Sequence, residues 1–592
     1  MPGPGLRRVA AAAVAVTTTS AVLVAGVAPA SAGSPGTAAQ GPPAVDVQLL
    51  ALNDFHGALE PPAGSGGRIQ TGVDAAGAPV TVDAGGAEFL ATRLTALAEQ
   101  QRKQNTVTVA AGDLIGASPL LSAAFHDEPT IEALGLAGLD YASVGNHEFD
   151  EGAAELLRMQ DGGCHPVDGC ADGTPFEGAD FRYLSANAFL TGTGEPLLPP
   201  YAVHEVQGVE IGFIGMTLEG TGQIVSQEAA AGLGFADEVE TADRYVAELR
   251  EQGVEAIVVL LHEGGVQTGA TAWDVNGCSG LSGPIVDIAA GMDDAVDVIV
   301  SGHTHTAYNC ELDGTLVTSA SSNGRLVTDI DLSIDRRSGE VLTAAAENVV
   351  VTRDVAADAE QTGLITRYRE ALGPIASEVV GATAEPLTRA QEQLFQSGTA
   401  PDGTPTYALG ESPLGNVIAD AQLAATDDEA GAVAALMNPG GVRADLDAGE
   451  VTYEEAFTVQ PFANNLVTLD LTGEQLRCVL EQQFQVGRTL YPSASVSYVV
   501  DPAGASAPVG ADPCTGTRVV GGSLAIGGTA VDPAATYRVT VNNFLAGGGD
   551  GFTTLTAGTN PVTGPIDLDA FTAYLGAGEP VAAPTDDRIR LP

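Results

Sequence analysis

Short apolar runs alternate with longer amphipathic stretches through the first 350 residues. Val45 to Leu52, Thr106 to Ala110, Tyr141 to Val144, Val209 to Gly215, Ala256 to Leu261 and Val296 to Val300 read as strands. Between them, Ala87 to Gln104 carries Leu90, Leu94 and Leu97 at helical spacing, and Ile131 to Leu139 predicts a second, shorter helix. Strands alternating with helices predict a layered α/β domain, whose functional groups belong in the loops after strand C-termini. The Gly/Pro-rich segment Pro61 to Gly86 reads as a loop.

Near Asp354 the texture changes. Ala356 to Leu372 predicts a helix, and Gly373-Pro374 after it a joint. A second mixed α/β region, rich in glycine turns, runs from there to Pro592, with Asp501 to Pro513 and Thr556 to Pro565 as surface loops. The expected organisation is 1–32 signal peptide, 33–43 linker, 44–353 first domain, 354–375 linker helix and 376–592 second domain. A chain of 592 residues exceeds what one hydrophobic core organises.

The amino terminus changes the expected location. Arg7 and Arg8 precede an Ala/Val-rich run, and Ala30-Ser31-Ala32 fits a small-residue cleavage site, which predicts a secreted protein cleaved after Ala32. Six cysteines, an even number in an exported chain, predict disulfides, and pairing neighbours is the simplest of the possible connectivities: Cys164–Cys170, Cys278–Cys310 and Cys478–Cys514. No Cys-x-x-Cys pair is present, which argues against a thiolate zinc site.

Charge narrows the partners. The formal net charge is −52 and Lys103 is the only lysine, so the surface would repel nucleic acid polymers and anionic membranes. A small anionic substrate needs a local positive centre, either arginines or metal ions.

The strand-end loops supply the chemistry. In order they carry Asp54 and His56, Asp113, then Asn146 and His147 with Asp150, then His262, then His303 and His305. Five of the eight histidines fall here; His126, His165 and His204 lie in segments without such neighbours and read as ordinary surface or turn residues. Any one of these loops alone is an ordinary polar turn. All of them in order, each behind an apolar strand, point to one site. Mixed carboxylate, imidazole and amide ligands suit Zn²⁺, Mn²⁺, Co²⁺ or Fe²⁺ better than Ca²⁺. The ligands are too many for one tetrahedral ion and suit two ions sharing a carboxylate, the arrangement that hydrolyses phosphate esters.

The series Asp54-x-His56, Gly112-Asp113, Gly145-Asn146-His147-Glu148, His262 and Gly302-His303-x-His305 resembles the calcineurin-like metallophosphoesterases. Asn438-Pro439-Gly440-Gly441-Val442-Arg443, Pro461-Phe462 and the segment Asn543 to Phe552 resemble the C-terminal domain of secreted 5′-nucleotidases, a family that includes UDP-sugar hydrolases and 2′,3′-cyclic-nucleotide phosphodiesterases.

The resemblance implies a four-layer α/β/β/α N-terminal domain and a mixed α/β C-terminal substrate-binding domain. It implies Asp54, His56, Asp113 and His305 around one metal and Asp113, Asn146, His262 and His303 around the other. A water bridging the ions would attack phosphorus in line with the ester oxygen. His147, oriented by Asp150, would stabilise the developing charge or protonate the leaving group, with Glu148 a structural bystander. Phe462 and Phe544 would stack on a nucleobase, Asp550 would accept from ribose hydroxyls, Asn438 with Gly440 and Gly441 would approach the nucleoside, and Arg443 would meet phosphate.

One departure from the family stands out. A further phosphate-binding arginine is frequent just upstream of the segment matching Glu411 to Asn416, whereas here Tyr407, Ala408, Leu409 and Gly410 occupy that stretch. The resemblance also implies rotation of the C-terminal domain between loading and turnover, pivoting near residues 356–372. The expected activity is release of nucleoside and phosphate from nucleoside 5′-monophosphates. Cleavage of cyclic nucleotides or UDP-sugars at the same site is the alternative, and a silent nucleotide-binding surface protein the more remote one.

Overall fold

The computed structural model describes residues 44–592 apart from positions 63, 76, 102, 227, 228, 270, 391, 400–404, 509 and 586; the expected signal peptide and linker lie outside the described residues. Twelve strands build the principal sheets of the N-terminal half: β1 (Ala44–Leu52), β2 (Thr106–Ala111), β3 (Tyr141–Ser143), β4 (Arg182–Leu184), β5 (Tyr201–Val206), β6 (Val209–Thr217), β7 (Ala256–His262), β8 (Val298–Ser301), β9 (Ala307–Leu312), β10 (Thr315–Ala320), β11 (Leu326–Asp335) and β12 (Val341–Val350). They form two six-stranded sheets, in the orders β12-β11-β1-β2-β3-β4 and β9-β10-β8-β7-β6-β5.

Strands buried on both faces need continuous apolar runs. In β1, Val45, Val47, Leu49 and Ala51 pack toward Phe213, Val258 and Val300 of the other sheet, while Leu50 and Leu52 point to the outer helices. Helix α1 (Ala87–Gln100) lies on the first sheet through Leu90, Leu94 and Leu97, and α2 (Glu128–Leu136) and α3 (Ala153–Asp161) join the same layer. On the second sheet, α4 (Glu238–Gln252) and α5 (Pro284–Gly291) bury Tyr245, Leu249 and Ile285. The result is the four-layer α/β/β/α arrangement. Each fully buried Leu, Val or Phe stabilises it by roughly 1.5–3 kcal/mol.

Helix α6 (Ala359–Ala376) begins at Asp358, whose side chain accepts from the backbone N–H groups of Glu360 and Gln361. It runs on past Leu372, carrying Pro374 inside its last turns. Leu364, Ile365 and Tyr368 bury it against the N-terminal half, where Tyr368 meets the ring of Phe125 at 4.9 Å.

Beyond it lies a five-stranded sheet of β13 (Ala434–Met437), β14 (Asn465–Thr472), β15 (Tyr491–Pro492), β16 (Thr536–Asn542) and β17 (Thr559–Ile566), ordered β15-β13-β16-β14-β17. Helices α7 (Pro413–Ala424), α8 (Gly473–Val486) and α9 (Asp567–Leu575) flank it.

Two expected loops contain strands. Residues 61–86 include a hairpin, Arg68–Val73 against Pro79–Asp83. Residues 559–566 form the edge strand β17, where Pro561 and Pro565 are tolerated because an edge leaves backbone positions unpaired. The three disulfides join the expected neighbours.

Candidate functional site

The loops after β1, β2, β3, β7 and β8 meet at one end of the paired sheets. The pairing of β1 with β2 continues beyond the strands: Asp54 N–H donates to Gly112 O, His56 N–H to Asp113 O and Gly57 N–H to Leu114 O. That register sets Asp54, His56 and Asp113 side by side. Asp54, His56, Asp113, His303 and His305 all hold a left-handed φ, between 47° and 69°. Such conformations are unfavourable for residues other than glycine, and surrounding contacts must hold them. Gly145 belongs to the same fit, since a Cβ there would collide with the Asp113 carboxylate.

Asp113 sits at the centre. Its Oδ1 accepts from His147 N–H at 2.9 Å, and its Oδ2 lies 2.9 Å from His262 Nε2 and 3.8 Å from His56 Nε2. Asp54 Oδ1 is 3.2 Å from His305 Nε2, and both Asp54 oxygens accept from His303 N–H. One donor atom each from Asp54, His56 and His305 falls within 4.8 Å of the others, as does one each from Asp113, His262 and His303. All seven residues expected as ligands except Asn146 thus fall into two groups centred on the two aspartates. Asn146 lies beside them, at the end of β3, and is buried.

The donor chemistry fits a pair of cations. His262 Nδ1–H donates to Ala111 O at 2.8 Å, which turns the lone pair of Nε2 toward the Asp113 carboxylate. His56 Nδ1–H likewise donates to Gly116 O, leaving Nε2 to face His305 Nε2 at 3.0 Å. Asn146 Oδ1 and His262 Nε2 are buried without a hydrogen-bond partner. Buried polar atoms are normally satisfied, and a divalent ion at each group answers all of these contacts.

Electrostatics agree. Burial would raise the pKa of Asp54, but the charge and hydrogen bond of His305, with His56 and His262, hold it well below the usual range. Asp113 is lowered the same way, burial being outweighed by His262, His147 and His56. His262 is raised to about 9, Asp113 overcoming burial, whereas burial and the neighbouring His262 lower His303 to about 4. His147 is pushed up to about 10: burial opposes its charge, and Asp150 and Asp113 overcome that. Its Nδ1–H donates to Asp150 Oδ2 at 2.7 Å, so Nε2 is the free edge of the ring, and the ring borders the main cavity.

Glu148 is more than a bystander. Its buried carboxylate accepts from the N–H groups of Asp113, Leu114 and Gly145 and so ties the β2 loop to the β3 loop. Burial and the charge of Asp113 raise its pKa to about 7. An acidic residue five positions beyond a strand carries no such signal in sequence.

A cavity of about 590 Å³ opens over this group, and both halves of the chain line it. His56, His147 and His305 form one wall; Asn438, Gly440, Gly441, Arg443, Phe462, Phe544 and Asp550 come from the other half. Phe462 and Phe544 remain 45% and 48% exposed, so neither is a core residue. Asn542 Nδ2 donates to Asn438 Oδ1, and Asn438 Nδ2 in turn donates to Asp550 Oδ2, each at 2.9 Å. Arg443 lies over the Phe462 ring, 5.6 Å from its centre.

Sequence reasoning missed Arg488. It lines the cavity and pairs with Asp550 Oδ1 at 2.7 Å, yet an arginine after a helix-ending glycine is an ordinary surface pattern. It adds a second guanidinium to a cavity whose expected upstream arginine is missing.

Paired sheets with acidic and imidazole groups at their strand ends, facing a cleft with two exposed phenylalanines, are a phosphoesterase architecture. Comparison with known proteins agrees. Residues 47–307 match the calcineurin-like phosphoesterase family, and residues 393–557 match the 5′-nucleotidase C-terminal domain. The chain is 33% identical over 557 residues to Endonuclease YhcR of Bacillus subtilis, covering 92% of this chain and 41% of that protein's length. It is 31% identical over 575 residues to Cell wall protein Lmo0130 of Listeria monocytogenes, covering 92% of this chain and 69% of the relative. A solved 5′-nucleotidase precursor from Thermus thermophilus superposes with a TM-score of 0.52 at 26% identity, over 92% of this chain and 99% of that one. The chain belongs to the 5′-nucleotidase family of calcineurin-like phosphoesterases.

Proposed function

We propose that the protein is an exported dimetal phosphohydrolase that cleaves nucleoside 5′-monophosphates to nucleoside and inorganic phosphate. The observation that carries this reading is the single cavity in which His56, His147 and His305 face Phe462, Phe544 and Asp550. Asp54, His56, Asp113 and His305 would hold one divalent ion and Asp113, Asn146, His262 and His303 the other, Asp113 being shared. Bound there, the two ions supply Lewis acidity toward phosphate and toward the attacking water.

The remaining steps belong to side chains. His147, held protonated by Asp150 and Asp113, presents its Nε2–H to a phosphate oxygen or to the leaving ribose oxygen. Asp150 fixes the ring's orientation. Phe462 and Phe544 clasp the base, and Asp550, already steadied by Asn438 and Arg488, takes the ribose hydroxyls. Arg443 and Arg488 provide the positive charge that the missing upstream arginine would otherwise give.

The likeness to a protein named an endonuclease and the missing arginine favour a second reading, phosphodiester cleavage at the same site. The deciding experiment assays the full chain, loaded with Mn²⁺ or Zn²⁺, on AMP, UDP-glucose, 2′,3′-cAMP and single-stranded DNA. Phosphate release from AMP that disappears with chelator supports the first reading. No AMP turnover with any divalent ion, alongside cleavage of a diester, replaces it with the second.

A further inference from the structure

A sixth loop joins the strand-end site. Strand β10 ends at Ala320, and the chain turns through Ser321, Ser322, Asn323 and Gly324. Ser321, Asn323 and Gly324 hold left-handed φ values between 58° and 63°. Asn53 ties the turn to β1: its Oδ1 accepts from Ala320 N–H and its Nδ2 donates to Ser321 O, each at 2.7 Å. Asn323 N–H donates to Asp54 O at 2.7 Å, and Ser321 Oγ–H donates to His305 O at 3.3 Å. The turn is thus fixed to two ligand-bearing loops, though none of its own side chains is among the expected ligands.

A chain of hydrogen bonds orients the Asn323 amide. Arg325 NH2 donates to Ser321 Oγ at 2.9 Å and to Ser322 Oγ at 2.7 Å. Ser322 is buried, so its own hydroxyl proton needs an acceptor, and Asn323 Oδ1 takes it at 2.9 Å. The reverse orientation would set Nδ2–H against a hydroxyl already accepting from Arg325 and leave the Ser322 proton without an acceptor. Oδ1 is therefore committed to the protein, and Nδ2 keeps two N–H groups. Asn323 borders the main cavity beside His56 and His305. Asparagine also suits the backbone there, being one of the few residues with a side chain that enters the left-handed region readily.

What this donor meets follows from its position. Its backbone is bonded to Asp54, which sets it at the strand-end side of the cleft, whereas Phe462, Phe544 and Asp550 stand on the other wall. The group that must reach the strand ends is the phosphoryl group, whose non-bridging oxygens are charged acceptors. An amide N–H attracts such an oxygen without adding a charge of its own. We propose that Asn323 Nδ2 donates to a non-bridging phosphate oxygen and is a further substrate-binding residue, serving the phosphoryl group whatever alcohol it is esterified to. The proposal rests on the phosphoesterase reading of the cleft and not on AMP as the substrate.

The test compares the full-length, metal-loaded wild type with Asn323→Gly and Asn323→Asp. Glycine accommodates the left-handed turn and removes the amide. Aspartate keeps the size and still accepts from Ser322, but presents an acceptor where the donor was. Affinity for inorganic phosphate is read by calorimetry, and kcat/KM on AMP and on glycerol phosphate by phosphate release. Asn323→Gly should weaken phosphate binding and lower kcat/KM on both esters about 10- to 100-fold, the worth of one hydrogen bond to a charged group, with bound metal per chain unchanged. Asn323→Asp should lose more than the glycine variant. Unchanged phosphate affinity in folded Asn323→Gly overturns the proposal. So does a loss confined to AMP, which would place the amide on the nucleoside, or a fall in bound metal, which would make the turn a support for the ligands alone. Absence of AMP turnover in the wild type would sink the nucleotidase reading and leave the phosphate-affinity comparison standing.

Discussion

On the N-terminal side of the cleft, Asp54, Asp113 and His262 are fully buried, held by left-handed backbone and by hydrogen bonds from neighbouring loops. On the C-terminal side, Phe462 and Phe544 keep nearly half their surface exposed and stand on short turns. The first wall is the more tightly tied: the side chains of Asp54, His56, Asp113 and His262 each hydrogen-bond a residue of another segment. The second offers flat apolar faces and a short polar chain, Asn542 to Asn438 to Asp550, which suits a substrate that must enter and leave. The contrast teaches that chemistry and recognition are separable here, so substitutions on the two walls should fail in different ways.

The largest effect belongs to the shared carboxylate. Asp113→Asn should take turnover of every phosphate ester to background, well beyond the ~10²–10³-fold cost of losing one electrostatic donor, with metal content falling in parallel. Retained metal and retained turnover would dissolve the distinction between the walls. His147→Ala comes next: kcat falls about 10²- to 10⁴-fold while bound metal stays constant. On the opposite wall, Phe462→Ala or Phe544→Ala should each cost about 1–3 kcal/mol in kcat/KM for AMP, the worth of one base–aromatic stack. Neither should change kcat/KM for glycerol phosphate, which has no ring to stack.

The smallest effect sharpens the comparison from outside the cleft. Asp567, at the start of α9, is buried with Oδ1 unpartnered, and burial raises its pKa to about 7 despite the Asn464 hydrogen bond. A carboxyl raised in the folded state contributes stability that is fully present below its unfolded value near 3.8 and lost as pH rises through about 7. Asp567→Asn should therefore raise thermal stability at about pH 8, by on the order of 1–3 kcal/mol. The gain should vanish at about pH 4, as read by melting at the two pH values.

Much of the first wall was legible because its residues sit directly after apolar strands, where parallel sheets present their loops. Asp54, His56, Asp113, Asn146, His303 and His305 all stand in those loops, and His262 is the last residue of β7. What the strand pattern does not encode is the tie between loops: Glu148 bridges three backbone N–H groups from two loops, a role set by tertiary register alone. The second wall was legible only through local motifs, since Arg488 reaches Asp550 across 62 positions of chain and nothing near it in sequence announces the pairing. The pairing of His126 and His165 was hidden for the same reason: their partners Glu151 and Asp168 come from separate turns, one of them in the loop that the Cys164–Cys170 disulfide closes. Strand β17 hid behind its prolines, which an edge position admits.

The central claim is that metals on one wall act on a nucleotide held by the other. The most direct test is phosphate release by metal-loaded Phe462→Ala/Phe544→Ala, measured side by side on AMP and on glycerol phosphate. A loss of kcat/KM on AMP of about 10²-fold or more, with glycerol phosphate unchanged and both activities abolished by chelator, is the predicted result. Equal loss on both substrates, or AMP turnover that survives chelation, would contradict it.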